Sequence, residues 1–104
     1  MYNKPTKEEL SNIPKLYETE AIPSDDKIVY MHFFFQNSDW YMFEYDGDDT
    51  FFGYVILNCD TQMAEFGYFT LSELDEINIK GFEVDKDLYW EAKKFNEVRK
   101  EKGL

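Results

Sequence analysis

Basic residues are missing from most of this chain. Between Leu16 and Ile79 the only lysine or arginine is Lys27, while acidic residues recur from Glu18 to Glu76. Affinity for nucleic acid comes largely from Lys and Arg, so direct nucleic-acid binding by this stretch is disfavoured. Cysteine is nearly absent too. The single Cys59 cannot form an internal disulfide, and a reducing cytoplasm is the expected setting. No apolar run reaches transmembrane length and the first residues lack a signal-peptide core, so no membrane partner is expected. There is no P-loop, no dinucleotide fingerprint and no C-x-x-C pair. His32 is the only histidine, so any Cys–His chemistry would need it beside Cys59. At ~3.3 Å per strand residue the two are expected to lie far apart.

Aromatic residues and acids fill the space that these absences leave. Aromatics make up 19% of the residues, which marks a folded chain rather than a disordered one. With 104 residues the chain is expected to form one domain spanning residues 1–104. The expected fold is α+β, a four-stranded antiparallel meander with short flanking helices and a C-terminal helix. Ile28–Gln36 alternates, and the turn Asn37-Ser38-Asp39 leads to a strand over Trp40–Tyr45. Asp46-Gly47-Asp48-Asp49 turns the chain into Phe51–Leu57, and Asn58–Thr61 turns it into Met63–Thr70. Thr6-Lys7-Glu8-Glu9 matches a capping box for a helix to about Asn12, and Thr70-Leu71-Ser72-Glu73 matches another for a helix to about Ile77. Met1–Pro5 reads as frayed, Leu16–Ser24 as an extended approach to the sheet, and Ile79–Val84 as a further strand. A helix from about Glu91 to Lys102 ends at Gly103.

Matching apolar faces sets Val29, Met31, Phe33 and Phe35 beside Tyr41, Phe43 and Tyr45. His32 and Glu44 then share the opposite face, with Glu65 reachable across the bare Gly53. One nitrogen and two carboxylates would suit zinc. The same placement also allows a plain His32–Glu44 hydrogen bond. Tyr30, Phe34, Trp40 and Met42 fall on that second face, where an aromatic patch with an acidic rim would suit a protein partner. Net charge is −11. A basic protein partner would be attracted and steered by Asp46, Asp48 and Asp49 around Trp40; the acidity equally serves solubility. Reversing those three aspartates is expected to leave the core intact.

Several segments resemble a family of small domains of unknown function carried by phages, plasmids and conjugative elements. The resemblance rests on Asp26-Lys27-Ile28-Val29-Tyr30, Phe33-Phe34, Trp40-Tyr41 with Glu44, and Phe51-Phe52-Gly53. It continues through Glu65-Phe66-Gly67-Tyr68-Phe69 and Leu71-Ser72-Glu73-Leu74 to Asp87-Leu88-Tyr89. That family implies no activity and no catalytic residues. Its members commonly carry Lys where His32 stands, so a metal site at His32 would be special to this chain. In type and setting the chain also resembles phage anti-CRISPR proteins. That resemblance implies a non-enzymatic inhibitor whose acidic surface blocks DNA loading onto Cas9. The alternatives are a small metal-dependent hydrolase using His32, Glu44 and Glu65, and an accessory protein of plasmid or phage maintenance.

Overall fold

Alternating aromatic stretches separated by polar turns fold into a meander, and the turns decide which way each strand faces. The computed structural model describes residues 1–104. Strands β1 (Ile28–Val29), β2 (Met31–Phe35), β3 (Ser38–Tyr45), β4 (Thr50–Ile56) and β5 (Glu65–Thr70) follow in order. Later come β6 (Asn78–Ile79), β7 (Phe82–Glu83), β8 (Asp85–Lys86) and β9 (Lys93–Lys94). The helices are α1 (Lys7–Ser11), α2 (Leu71–Glu76) and α3 (Phe95–Lys102), with a single 3-10 turn at Ser24–Asp26. β2 to β5 form the expected antiparallel meander, and β8 adds a fifth strand beside β2 in the order β5-β4-β3-β2-β8. The expected strand over Ile79–Val84 is instead the β6–β7 hairpin, turned by Lys80 and Gly81, both at positive φ.

The face assignment differs from the expectation. The first turn is Gln36-Asn37, tighter than Asn37-Ser38-Asp39, and it pairs Phe35 with Ser38 and Phe33 with Trp40. That shift of one row puts Trp40 and Met42, not Tyr41 and Phe43, on the face of Met31, Phe33 and Phe35. A bulge between Met42 and Glu44 returns Tyr45 to that same face. At the other end the chain bends between β1 and β2, so Val29 joins Tyr41 and Phe43 on the opposite side. Both sheet faces are buried, so hydrophobic alternation could not tell one from the other.

Two cores result. Met31, Phe33, Trp40, Met42, Phe51 and Phe69 lie beneath Leu10 of α1 and Leu71 and Leu74 of α2. Val29, Tyr41, Phe43 and Ile56 lie beneath Phe95 and Val98 of α3. Phe33, Phe43 and Phe51 are wholly buried, each contributing about 2–3 kcal/mol from area removed from water. Gly53 is required where β3 bulges, because a Cβ there would sit 2.1 Å from the Tyr41 carbonyl oxygen.

Caps and termini follow the sequence in part. Thr6 and Glu9 form the full capping box of α1, and Thr70 caps α2 through the Glu73 N–H. α3 starts at Phe95, later than expected, because β9 pairs with β1 first. Gly103 closes it in the left-handed region. Met1–Pro5 is tied down rather than frayed: Tyr2 bridges Asp85, and its N–H donates to the Val84 carbonyl at 2.8 Å. Leu16–Ser24 is a run of tight turns, not an extended approach. No helix is long and apolar enough to cross a membrane.

Candidate functional site

His32 stands on β2 in one row with Tyr41, Tyr54 and Phe66, all on the α3 side of the sheet. Its Nδ1 lies 3.0 Å from Asp87 Oδ2 and its Nε2 lies 2.8 Å from Asp39 Oδ1. Each contact is a hydrogen bond only when that nitrogen carries a proton. The ring stacks on Tyr41 with centroids 4.7 Å apart, and Trp90 tilts against both rings. Lys102 Nζ approaches the other Asp39 oxygen at 3.6 Å. Burial would raise the Asp39 carboxyl, but the His32 hydrogen bond and the Lys102 charge outweigh it and hold the group below its ordinary value. A cleft of about 690 Å³ opens here between β2, the 87–92 segment and α3. With both nitrogens taken, His32 can neither bind a metal nor serve as a base without breaking one of its carboxylate contacts.

Glu44 shares the face of His32 but lies one row further along, in line with Phe52 and Tyr68. It is 4% exposed. Its oxygens accept from the Tyr17 N–H at 2.8 Å, from the Thr19 N–H at 3.1 Å and from the Thr19 hydroxyl. Lys27, also buried, donates to the same Thr19 through Oγ1 and the carbonyl. Glu44 therefore folds the 15–22 turns onto the sheet. Glu65 pairs with Val55 in the row of Trp40, on the opposite face. His32, Glu44 and Glu65 are not brought together, and no three His, Cys, Asp or Glu side chains converge on a point where an ion could sit. Zinc finds no fit at the expected triad.

The expected partner-binding residues are also dispersed. Trp40 is 6% exposed inside the first core and offers a partner almost nothing. Asp46 Oδ1 accepts the N–H groups of Asp48, Asp49 and Thr50 at 2.8, 2.9 and 3.0 Å. Asp49 accepts the Ser72 N–H at 2.9 Å and the Ser72 hydroxyl at 2.6 Å, joining this turn to α2. Only the Asp48 carboxylate is uncommitted. The turn is thus a structural device as well as a charged one, and reversing all three aspartates would disturb it.

What the sequence does leave exposed is a stretch that supplies no cation of its own to the surface. Lys27, alone in its stretch, is buried, so residues 16–79 display no basic side chain. Glu18, Glu20, Asp60, Glu65, Glu73 and Glu76 are exposed and make no ion pair. Among them lies a strip of exposed aromatics. Tyr17 is 63% exposed, Tyr68 57% and Phe66 38%. Phe52 packs 5.2 Å from Tyr68 and 6.2 Å from Phe66. The Tyr17 hydroxyl, with slight desolvation and the nearby Glu44 and Glu20 charges, pushes the Tyr68 phenol up. The acidic composition was legible beforehand, but Tyr17 and Tyr68 meet only because the 15–22 turns fold back, which no local pattern signals. Asp87, a partner of His32, was missed for the same reason, since it comes 55 residues later, and Asp39 because it was read as part of the turn rather than of β3.

A family model described as a protein of unknown function, DUF2958, matches residues 6–98. No curated protein and no solved structure matches the chain.

Proposed function

Because the chain belongs to the DUF2958 family, whose description assigns no activity, we propose a function from its own surface: stoichiometric binding of a basic protein partner, without catalysis. The observation that carries this reading is the absence of any exposed cation between Leu16 and Ile79 on a surface with unpaired carboxylates. Unpaired like charges raise the local potential and steer a basic partner into contact. The exposed aromatics beside them supply the apolar contact that charge alone lacks. The partner we assign is a bacterial defence nuclease in the host cytoplasm, with Cas9 the first to test. The chain would occupy the basic surface that otherwise receives DNA.

The test titrates the protein into a Cas9 cleavage reaction. The expected result is inhibition complete near equimolar protein and weakening as salt rises, since exposed charges are screened over ~8–10 Å at physiological ionic strength. Reversal of Asp48, Glu65, Glu73 and Glu76 to Lys should relieve inhibition, because none of these carboxylates holds the fold. Inhibition at strongly substoichiometric protein would instead indicate an enzyme. Full inhibition by the reversed variant at high salt would refute the electrostatic reading.

A further inference from the structure

The two ends of the sheet are finished differently. β8 is a two-residue strand carrying Lys86, and Tyr2 bridges Asp85, so this side offers little free backbone. β5 spans six residues, Glu65–Thr70, and pairs only with β4. It has no proline, no lysine and no bulge, the usual devices that keep an edge from pairing.

Register shows which groups are free. The Leu71 N–H donates to the Asp49 carbonyl beyond the Thr50–Thr70 pair, which makes that pair non-hydrogen-bonded. Pairs alternate along an antiparallel ladder, so Phe69, Gly67 and Glu65 exchange bonds with β4. Phe66 and Tyr68 therefore turn their N–H and C=O groups outward. The same two residues carry the exposed rings, on the face where Tyr17 also lies.

We infer that β5 is a docking edge that adds a lysine- or arginine-rich extended segment of a partner as a sixth strand. This deepens the proposed function by naming the edge and the form of the segment, and it rests on that reading. Main-chain bonds to Phe66 and Tyr68 hold the segment in register. Tyr17, Phe66 and Tyr68 cover the stems and cationic heads of its long side chains. Glu18 and Glu20 supply the opposite charge. Arg99, which borders the hollow beside Phe66, is already paired with Asp25 at 2.6 Å and does not repel the segment. A second copy of the chain is the wrong occupant, because two chains of charge −11 would repel along the joined edge.

The test uses the full chain and a labelled peptide of about eight residues alternating arginine with valine, the length of an ordinary strand. Tyr68→Pro removes only an outward N–H and the ring, a position where an edge strand tolerates proline. Tyr68→Ala removes the ring alone. The expected result is salt-sensitive binding that Tyr68→Pro weakens about tenfold beyond Tyr68→Ala, as loss of a main-chain bond and its register should. In the parent protein the amides of Phe66 and Tyr68 should gain exchange protection on peptide addition, while Gly67 and Phe69 start protected. That second measurement stands even if Tyr68→Pro fails to fold. Salt-sensitive binding with equal affinity for both variants and no new protection overturns strand addition while leaving the charge reading intact. No binding at low salt overturns both. Protection at Phe66 and Tyr68 that rises with protein concentration alone would make the occupant a second copy and overturn the assignment.

Discussion

The α3 side and the β5 side of one sheet face use charge in opposite ways. Beneath and beside α3 four carboxylates have a cation: Asp39 has Lys102, Asp25 has Arg99, Asp26 has Lys94, and Glu101 has Lys93 at 2.9 Å, while Glu91 and Glu97 have none. Toward β5, Glu18 and Glu20 have none. The difference separates what holds the molecule together from what remains available. Paired charges beneath a helix fix its position, and their surplus field is small. Unpaired charges contribute nothing to the fold and act on whatever approaches. The cations of the α3 side all come from residues 93–102, while the stretch that holds β5 supplies only the buried Lys27.

The bulge after Met42 is the joint between the regions, since it leaves Glu44 facing the 15–22 turns beside Tyr68 while Tyr45 turns to the other core. Gly53→Ala should break it. A methyl 2.1 Å from the Tyr41 carbonyl oxygen must displace backbone, at a cost of about 3 kcal/mol by analogy with overpacked cores. Urea denaturation measures the loss, and a variant as stable as the parent would show that the bulge is not constrained as described.

Next in size, His32→Ala should destabilise the α3 side by roughly 2–3 kcal/mol, because it removes the buried ring that lies between the Asp39 and Asp87 carboxylates and stacks on Tyr41. Peptide or Cas9 affinity of the folded fraction should not change. Lost affinity at unchanged stability would reverse the comparison and make the His32 cleft the functional site.

Strand existence was legible here because aromatic alternation and turn residues are local signals. Facing was not. The turn at Gln36-Asn37 is one residue shorter than the polar run suggests, and both faces of β3 are apolar, so a one-row slip leaves no mark in the sequence. The expected zinc triad followed from that slip: Glu65 sits in the row of Trp40, away from His32. β8 escaped notice because two residues, Asp85 and Lys86, carry no period. Glu44 was read as a metal ligand beside His32, whereas it binds the Tyr17 and Thr19 amides, contacts set by tertiary folding.

A smaller effect sharpens the contrast on the unpaired side. Glu18→Lys with Glu20→Lys should slow association with the arginine–valine peptide severalfold at low salt, with stability changed by no more than about 0.5 kcal/mol. Stopped-flow mixing reads the rate. An unchanged rate would place the steering charge elsewhere, on Glu65 or α2.

The finest form of the comparison is at the Asp46 turn, where one carboxylate is structural and its neighbour is not. Asp46→Ala removes the acceptor of three N–H groups and should cost about 1 kcal/mol at neutral pH, because the turn is exposed and water replaces part of the loss. Asp48→Lys should cost nothing measurable. Slight burial would raise the Asp46 carboxyl, but those three backbone bonds prevail and hold it below the ordinary 3.8. A carboxyl depressed in the folded state stabilises above its unfolded value and loses that contribution as pH falls through the folded value. The deficit of Asp46→Ala should therefore be full at neutral pH and shrink below 3.8, as the parent protonates its own Asp46. The Asp48→Lys variant should follow the parent curve throughout that range. Equilibrium denaturation between neutral and acid pH measures both. A deficit that stays constant into acid would mean that Asp46 holds the turn by shape rather than by charge, and the division between structural and available acids would then not run through this turn.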